Sequence, residues 1–573
     1  MGPFKGLTRL PRRLRDLVRK ENQHPQGFSL GNRPAPPSGP KPAERRGGGS
    51  EEPHFFDADA KVDRAVSRKL EENQRLLKDI FRMPENTDVL IRPVHIAALN
   101  RQAFLLYIDG MTKRETIDLD ILQPLMFLSE TAAGHGKAPV LDVIQKGLVP
   151  NEKVVCQDQM AKVLLEVLDG NTALFVDGEA KALTIETKGF EHRFVEKPET
   201  EVTIRGARDA FTETIRVNTA LVRRRLKTPN LMVEGMRIGR VSGTQIAILY
   251  LDGLANPRLV AEVKRRLETL DVAVIHGSGD IEEYIEDAPF GIIPQTLATE
   301  RPDRVAAFLA EGHVGIIVDD SPTALVVPIT FSAFIHSPED YSIRWPFGSF
   351  LRILRFLALF ATLLLPATYI ALANYHQEMI PTALALSIAA SREKVPFPVP
   401  VEVVIMEVSF ELIREAGTRI PTVIGPTIGI VGALILGQAA VQANIVSPIL
   451  VIVVAITALS SSAIPNPNAG LSLRLLRFGA IGLASVLGFI GLGLGLFFLG
   501  IHLVSLQSFG VPFMSPIAPF RPPSRDVLLR GPLWSMRWRP KFVQPLDSRR
   551  AAKYVRAWAR PSAGAATDQD EPS

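Results

Sequence analysis

The sequence predicts a cytoplasmic α/β (α+β) domain of two related subdomains, followed by an α-helical membrane domain with several spans. Three observations predict it. Charge is frequent up to about Trp345, whereas long apolar runs dominate from Phe356 to about Ser505. Before that change the chain alternates helix-like and strand-like segments. Within the alternating part, landmarks recur at one spacing. Averages over the 573 residues hide this division: 46% hydrophobic, 22% charged and a net charge of +5.

The first segment, residues 1–60, is rich in Pro, Gly and charge and is expected to be disordered. Its basic start, MGPFKGLTRLPRRLRDLVRK, has no apolar core, so it does not read as a secretory signal. The single cysteine, Cys156, has no partner within the chain and reads as a half-buried core residue.

Residues 61–200 and 201–345 form the two soluble subdomains. Asp63 to Phe81 has helical periodicity, VLIRPVHI and AFLLYIDG read as strands, and ETIDLDILQPLMFL reads as a helix. Phe104–Gly110 has a counterpart in Ala247–Gly253, and Ala173–Asp177 in Gly315–Asp319. Asp109 and Asp177 are 68 positions apart, Asp252 and Asp319 67, which marks an internal repeat. The repeated aspartates could ligate a metal or a phosphate, but Asp-Gly after a strand is turn chemistry, and turns are the expectation. No Gly-rich phosphate loop, His/Cys ligand cluster or nucleophile elbow occurs in this half. The reading is therefore of a chain that is not an enzyme, needs no cofactor and binds no nucleic acid.

Residues 346–510 form the predicted membrane domain. Phe356–Ala373 is an uncharged run long enough to span, with Pro366 expected to kink it. Met379–Pro400 has too short an apolar core and too many prolines, and reads as a re-entrant or interfacial hairpin. Thr422–Val446, Pro448–Ile464 and Phe478–Leu506 read as further spans. Gly425, Gly429 and Gly432 suit close helix packing. The tail, residues 511–573, is strongly basic, which places the C-terminus in the cytoplasm beside the soluble domain and requires an even number of spans. Arg474 and Arg477 then fall on the outer side, against the positive-inside tendency.

Between the hairpin and the second span lies VEVVIMEVSFELIREAGTRIP. On a helix, Glu407, Glu411, Arg414 and Glu415 fall within an arc of roughly 100°, with Glu402 off that face and Arg419 one turn beyond Glu415. About ten apolar residues contribute some −3 to −6 kcal/mol to insertion, whereas each ionised group costs about +2.5 to +3.5 near the bilayer centre. The helix cannot face lipid alone. It either lies at the interface or turns its charged face toward a protein-lined aqueous path. Gln438 and Asn444 are candidates for interhelical bonding or pore lining.

Several segments resemble the GerA family of spore germination proteins and its relative, the stage V sporulation protein AF. They are Ile204–Glu213, Asn218 with Leu221–Arg225, Thr299–Asp303, Pro338–Tyr341, Arg392–Pro398, Phe410–Pro421 and Ile430–Val441. One departure is Ala207, where the family usually has Pro. The resemblance implies an inner-membrane protein of the endospore with both termini facing the core. It further implies a homo-oligomeric, nutrient-gated cation channel working with companion B and C subunits, or with other germination proteins of the membrane. Glu407, Glu411 and Glu415 could then form acidic rings. The alternatives are a non-conducting scaffold and a secondary transporter.

Overall fold

The computed structural model describes residues 64–127, 139–151, 153–189, 198–419, 437–520 and 526–551. The expectations for residues 1–60, for the span from Thr422 as far as 436 and for its glycines, and for the chain beyond 551 lie outside these.

A helix α1 (Leu70–Ile80) precedes β1 (Val89–Ile96) and β2 (Arg101–Ile108), which are followed by β3 (Val154–Gln157), α2 (Met160–Leu168), β4 (Thr172–Val176) and β5 (Ala182–Ile185). These strands form one antiparallel sheet in the order β1-β2-β4-β5-β3. After α3 (Ile215–Arg225) come β6 (Leu231–Ile238), β7 (Thr244–Leu251), α4 (Pro257–Glu268), α5 (Ser278–Ile285), β8 (Leu297–Thr299), α6 (Pro302–Leu309), β9 (Val314–Val318) and β10 (Ala324–Val327). Their order, β6-β7-β9-β10-β8, repeats the first sheet strand for strand. The recurring aspartates occupy equivalent ends of β2 and β7 and of β4 and β9. Gly110, Gly178 and Gly253, each following one of them, have φ of +81°, +84° and +72°, so turn geometry explains these positions. Cys156 corrects one expectation: β3 is an edge strand, and its thiol is exposed.

The sheets are joined by a desolvated ion pair. Arg223 Nε and Nη2 donate to Asp88 Oδ2 and Oδ1 at 2.6 and 2.8 Å, and Thr87 N donates to Val233 O at 2.9 Å. A bidentate guanidinium–carboxylate fork with both partners buried fixes orientation as well as distance.

The helical part contains α7 (Trp345–Asn374), α8 (Thr382–Arg392), α9 (Val399–Arg419), α10 (Pro448–Ser462) and α11 (Pro467–Ser505). Two of these, α7 and α11, are long and apolar enough to cross a membrane. Helix α7 runs without interruption through Pro366. Helix α11 is not straight: Gly488 has φ +59° and ψ −136°. A Cβ on Gly491 would lie 2.2 Å from Leu483 O, eight residues back, a distance that a continuous helix would stretch to about 12 Å. The chain therefore reverses at Gly488, leaving antiparallel arms, residues 467–487 and 489–505. Ala469 and Leu503, near opposite ends of α11, both pack on the hydrophobic core of the second sheet, and Ser472 Oγ donates to Ile292 O at 2.6 Å. This corrects the placement of Arg474 and Arg477. They lie toward the sheet-facing end of the bundle, the same side as the start of α7.

After α11 the tail returns to the second sheet. Its short strands β11 (Gln507–Ser508) and β12 (Val511–Pro512) form a hairpin. Phe509, Val511 and Val543 fill one core of this sheet, Leu506 and Phe513 the other. Phe513 O accepts from Phe331 N at 2.9 Å. Composition marks this segment as a basic cytoplasmic tail; within the described residues it packs on the sheet domain. Phe513→Ala is expected to destabilise that domain by about 3–5 kcal/mol, read as a fall in the midpoint of denaturant unfolding.

His313 is buried and burial pushes its pKa from 6.5 down to about 4. Between those values the unfolded chain takes a proton that the folded chain refuses, so acidification removes up to about 3 kcal/mol of stability. Glu286 and Glu311, pushed up to about 7 by burial, act in the opposite sense over the same window. Thermal unfolding of His313→Phe, set against wild type, should shift in favour of the variant as pH falls from 7 to 4.5.

Candidate functional site

The predicted polar helix forms as α9, and its charges do not share one environment. Glu402 and Glu407 are 0% and 1% exposed, Glu411 is partly buried, and Glu415 is exposed. Val403 and Met406 of the same helix enter the bundle core with Ala367, Ile370, Leu450 and Ile481. Burying that apolar face carries the adjoining carboxylates inward.

Each buried carboxylate has a partner on another element. Arg477 Nη2, on the first arm of α11, lies 2.9 Å from both Glu407 Oε2 and Glu411 Oε1. Arg474 Nη1 meets Glu411 Oε2 at 2.9 Å. Arg414 Nη2 donates to Ser461 Oγ, at the end of α10, at 2.9 Å. Two carboxylates thus face three guanidiniums, and Arg477 is 2% exposed. Glu407 Oε1 and Arg477 Nε have no hydrogen-bond partner among the described residues. Neutralisation by pairing is what an apolar bundle demands of buried charge.

Glu402, off the polar arc, has a separate task. Its Oε2 accepts from Ser447 N at 3.1 Å at the start of α10, where a carboxylate complements the helix dipole, and its Oε1 meets Arg392 Nε at 3.3 Å.

Of the candidate residues, Glu407, Glu411 and Arg414 converge on this cluster. Glu415, Gln438 and Asn444 are exposed elsewhere on the single chain, and Asn444 has φ +56°. The backbone of Arg419 ends α9, and its side chain lies outside the described residues. Sequence reasoning missed Arg474 and Arg477 as partners. The available signal was their spacing of three, which puts both on one helix face opposite the four-residue step from Glu407 to Glu411.

A second charge cluster sits where the sheets meet the bundle. Asp340, fully buried, accepts from Arg352 Nε at 3.0 Å and from Arg355 Nη1 at 2.8 Å. Arg352 also binds Asp526 of the tail, and Tyr341 OH donates to the same carboxylate. Arg530 of the tail donates to Asp340 O and, at 2.8 Å, to Ile343 O. The link, the first turns of α7 and the tail are therefore tied together.

The remaining motif residues brace backbone. Arg301, 1% exposed, donates to Glu201 O, Thr203 Oγ1 and Ala207 O at 3.1, 3.0 and 2.9 Å. Asn218 exchanges hydrogen bonds with the Thr212 backbone at 2.7 and 2.6 Å.

The family description "Bacillus/Clostridium GerA spore germination protein" matches residues 75–542. The chain belongs to the GerA family. This GerA chain is 43% identical over 470 residues to "Spore germination protein KA" of Bacillus subtilis (strain 168), covering 82% of this chain and 86% of the relative. It is 41% identical to "Uncharacterized membrane protein YfkQ" of the same organism, covering 86% and 94%. "Spore germination protein B1", also of that organism, is 38% identical over 84% and 99%. A crystal structure of the N-terminal domain of the A subunit of the Bacillus megaterium spore germinant receptor GerK3 is 32% identical. It covers 47% of this chain and 98% of that one, with a TM-score of 0.37. Both charge clusters fall within the residues that match the GerA family.

Glu407→Gln in this GerA chain leaves Arg477 with one carboxylate instead of two. It should cost on the order of 3 kcal/mol, seen as a lower melting temperature in detergent. Glu407→Leu with Arg477→Met, which removes both charges together, should recover most of that loss.

Proposed function

We propose that this GerA chain is a subunit of an oligomeric, nutrient-gated cation channel of the inner spore membrane, with its sheet domain and both termini facing the spore core. The observation that carries the reading is the buried Glu407–Arg477–Glu411–Arg474 network joining α9 to α11. It lies in a bundle whose outer surface is apolar: Leu412, Leu459 and Ile490 are 66%, 73% and 68% exposed. Such a surface suits lipid or neighbouring subunits, and an ionic interior needs protein or water around it. Helix α8 buries none of its residues in the single chain, which supports packing against further copies or companion B and C subunits.

In this reading Glu415, Gln438 and Asn444, exposed on the single chain, face an ion path between subunits. Glu407 and Glu411 set its electrostatic background through their arginines. The excess of guanidinium over carboxylate favours a second reading, a non-conducting scaffold of a germination complex, because a cation path gains nothing from neutralised glutamates.

Ion flux through liposomes containing the chain with its obligate partners separates the two. The channel reading expects cation-selective flux. Glu415→Gln should lower that selectivity several-fold, and Glu411→Gln, by unmasking Arg474 and Arg477, should shift it toward anions. Absence of flux with the partners confirmed in the vesicles would establish the scaffold reading.

A further inference from the structure

A cavity of about 840 Å³ lies where α6, the link before α7 and the returning tail meet. Its size is that of a small-molecule site. Its walls include Phe308 and His313 from the sheet domain, Tyr341 from the link, and Trp534 and Trp538 from the tail. Two of the four tryptophans in the sequence therefore line one cavity.

The polar groups in these walls are unequally engaged. Arg304 is bound to Glu201 and to two backbone carbonyls, and Arg539 to Ala310 O and Asp547. Asp303 is held by Arg301, and Asp526 by Arg352 and Tyr341. Arg537 and Lys541 also line the cavity and are exposed, whereas His313 is buried and Glu311 half-buried. His313 Nδ1 lies 2.7 Å from Pro328 O, and since a carbonyl only accepts, Nδ1 carries the proton. Nε2 is then a lone-pair acceptor; it is buried and has no partner among the described residues. The ring is clasped edge-on by Phe308 at 4.9 Å and Phe542 at 6.3 Å, so it cannot turn away to find one. Glu311 meets Arg550 Nη1 at 3.1 Å, but that arginine side chain is 35% exposed and reaches in from the surface. Burial pushes the Glu311 carboxyl up to about 7, which a cation beside it would relieve.

An orphan acceptor, a half-buried carboxylate two positions away in sequence and several aromatic faces all select the same chemistry. Each favours a hydrogen-bond donor that is positively charged and carries an apolar body. We propose that this cavity binds a small protonated amine with an apolar or aromatic body, its ammonium shared between the Glu311 carboxylate and His313 Nε2. An anion of the same shape meets the half-buried Glu311 carboxylate, and a neutral alcohol forfeits the charge. Because the walls come from the sheet domain, the link and the tail together, an occupant also pins the tail to the link. The inference does not depend on whether the chain conducts ions.

The test uses the full chain in detergent, with phenethylamine, phenylacetate and phenethyl alcohol as probes of one size, read by tryptophan fluorescence and calorimetry. The amine is expected to bind at least about ten-fold more tightly than either of the others. Glu311→Gln should weaken it about ten-fold. Trp538→Ala, at an exposed position whose loss leaves the fold intact by melting temperature, should weaken it several-fold. Equal binding of all three probes would overturn the proposal, as would amine binding indifferent to both substitutions. No binding by folded wild-type protein up to about 10 mM amine would do so as well.

Discussion

The reversal at Gly488 is the constraint on which the rest of the helical part depends. A side chain there would meet Tyr375 at 2.9 Å as well as a left-handed backbone, so the position admits little but glycine. Because the chain turns back at that point, both ends of α11 reach the second sheet, and the first arm lies along α9. Two consequences follow together. Arg474 and Arg477 come opposite Glu411 and Glu407, and the segment after Ser505 is delivered to the edge of the sheet domain, where Phe509 and Phe513 enter its cores. A straight helix of 39 residues, at 1.5 Å each, would have carried the tail about 58 Å from its docking site.

The same rule governs the two charge clusters. In the bundle, Arg477 is 2% exposed and is placed between two carboxylates; at the junction, Asp340 is fully buried and is placed between Arg352 and Arg355. Isolated, any of these ions would lose several kcal/mol of hydration. Paired across elements, they make each helix position conditional on another: α9 on α11 in one case, α7 on the link and the tail in the other. Direction of attachment, more than net stability, is what such buried pairs supply, because a guanidinium fork tolerates few geometries.

Much of the sheet domain was legible because its strands are short runs rich in apolar and β-branched residues. VLIRPVHI is β1 residue for residue, and the recurring Asp-Gly landmarks fall at matching strand ends. Helix α9 was legible as a helix, and its buried charge as a problem needing a partner. The partner was not legible. Phe478 to Leu506 reads as one uncharged span, and a single glycine among many gives no sign that the helix reverses, so Arg474 and Arg477 fell on the wrong side. Their apparent violation of the positive-inside tendency was the signal. The docking of the tail was not legible for a different reason: Phe509, Phe513 and Val543 stand in short Pro-rich segments without helix or strand periodicity, which does not show where such residues dock. Cys156 was misplaced because local pattern does not distinguish an edge strand from an inner one.

These attachments make the second sheet more than a neighbour of the bundle. The link that leaves it holds the start of α7 through Asp340, and the sheet holds the start of α11 through Ser472 and the end of α11 through Leu506 and Phe513. Three helix ends are fixed to one body, whereas α8 has no such anchor and α9 touches the bundle through α7, α10 and α11. A displacement of the second sheet therefore carries α7 and both arms of α11 with it, and reaches α9 through the packing of Val403 and Met406 against α7 and α11 as well as through Arg474 and Arg477. The charge pairs that neutralise α9 are also one of its mechanical connections to the sheet domain. A change in how the sheets sit against the bundle reaches Glu407 and Glu411 directly, because their arginines lie on the arm of α11 that starts at the second sheet.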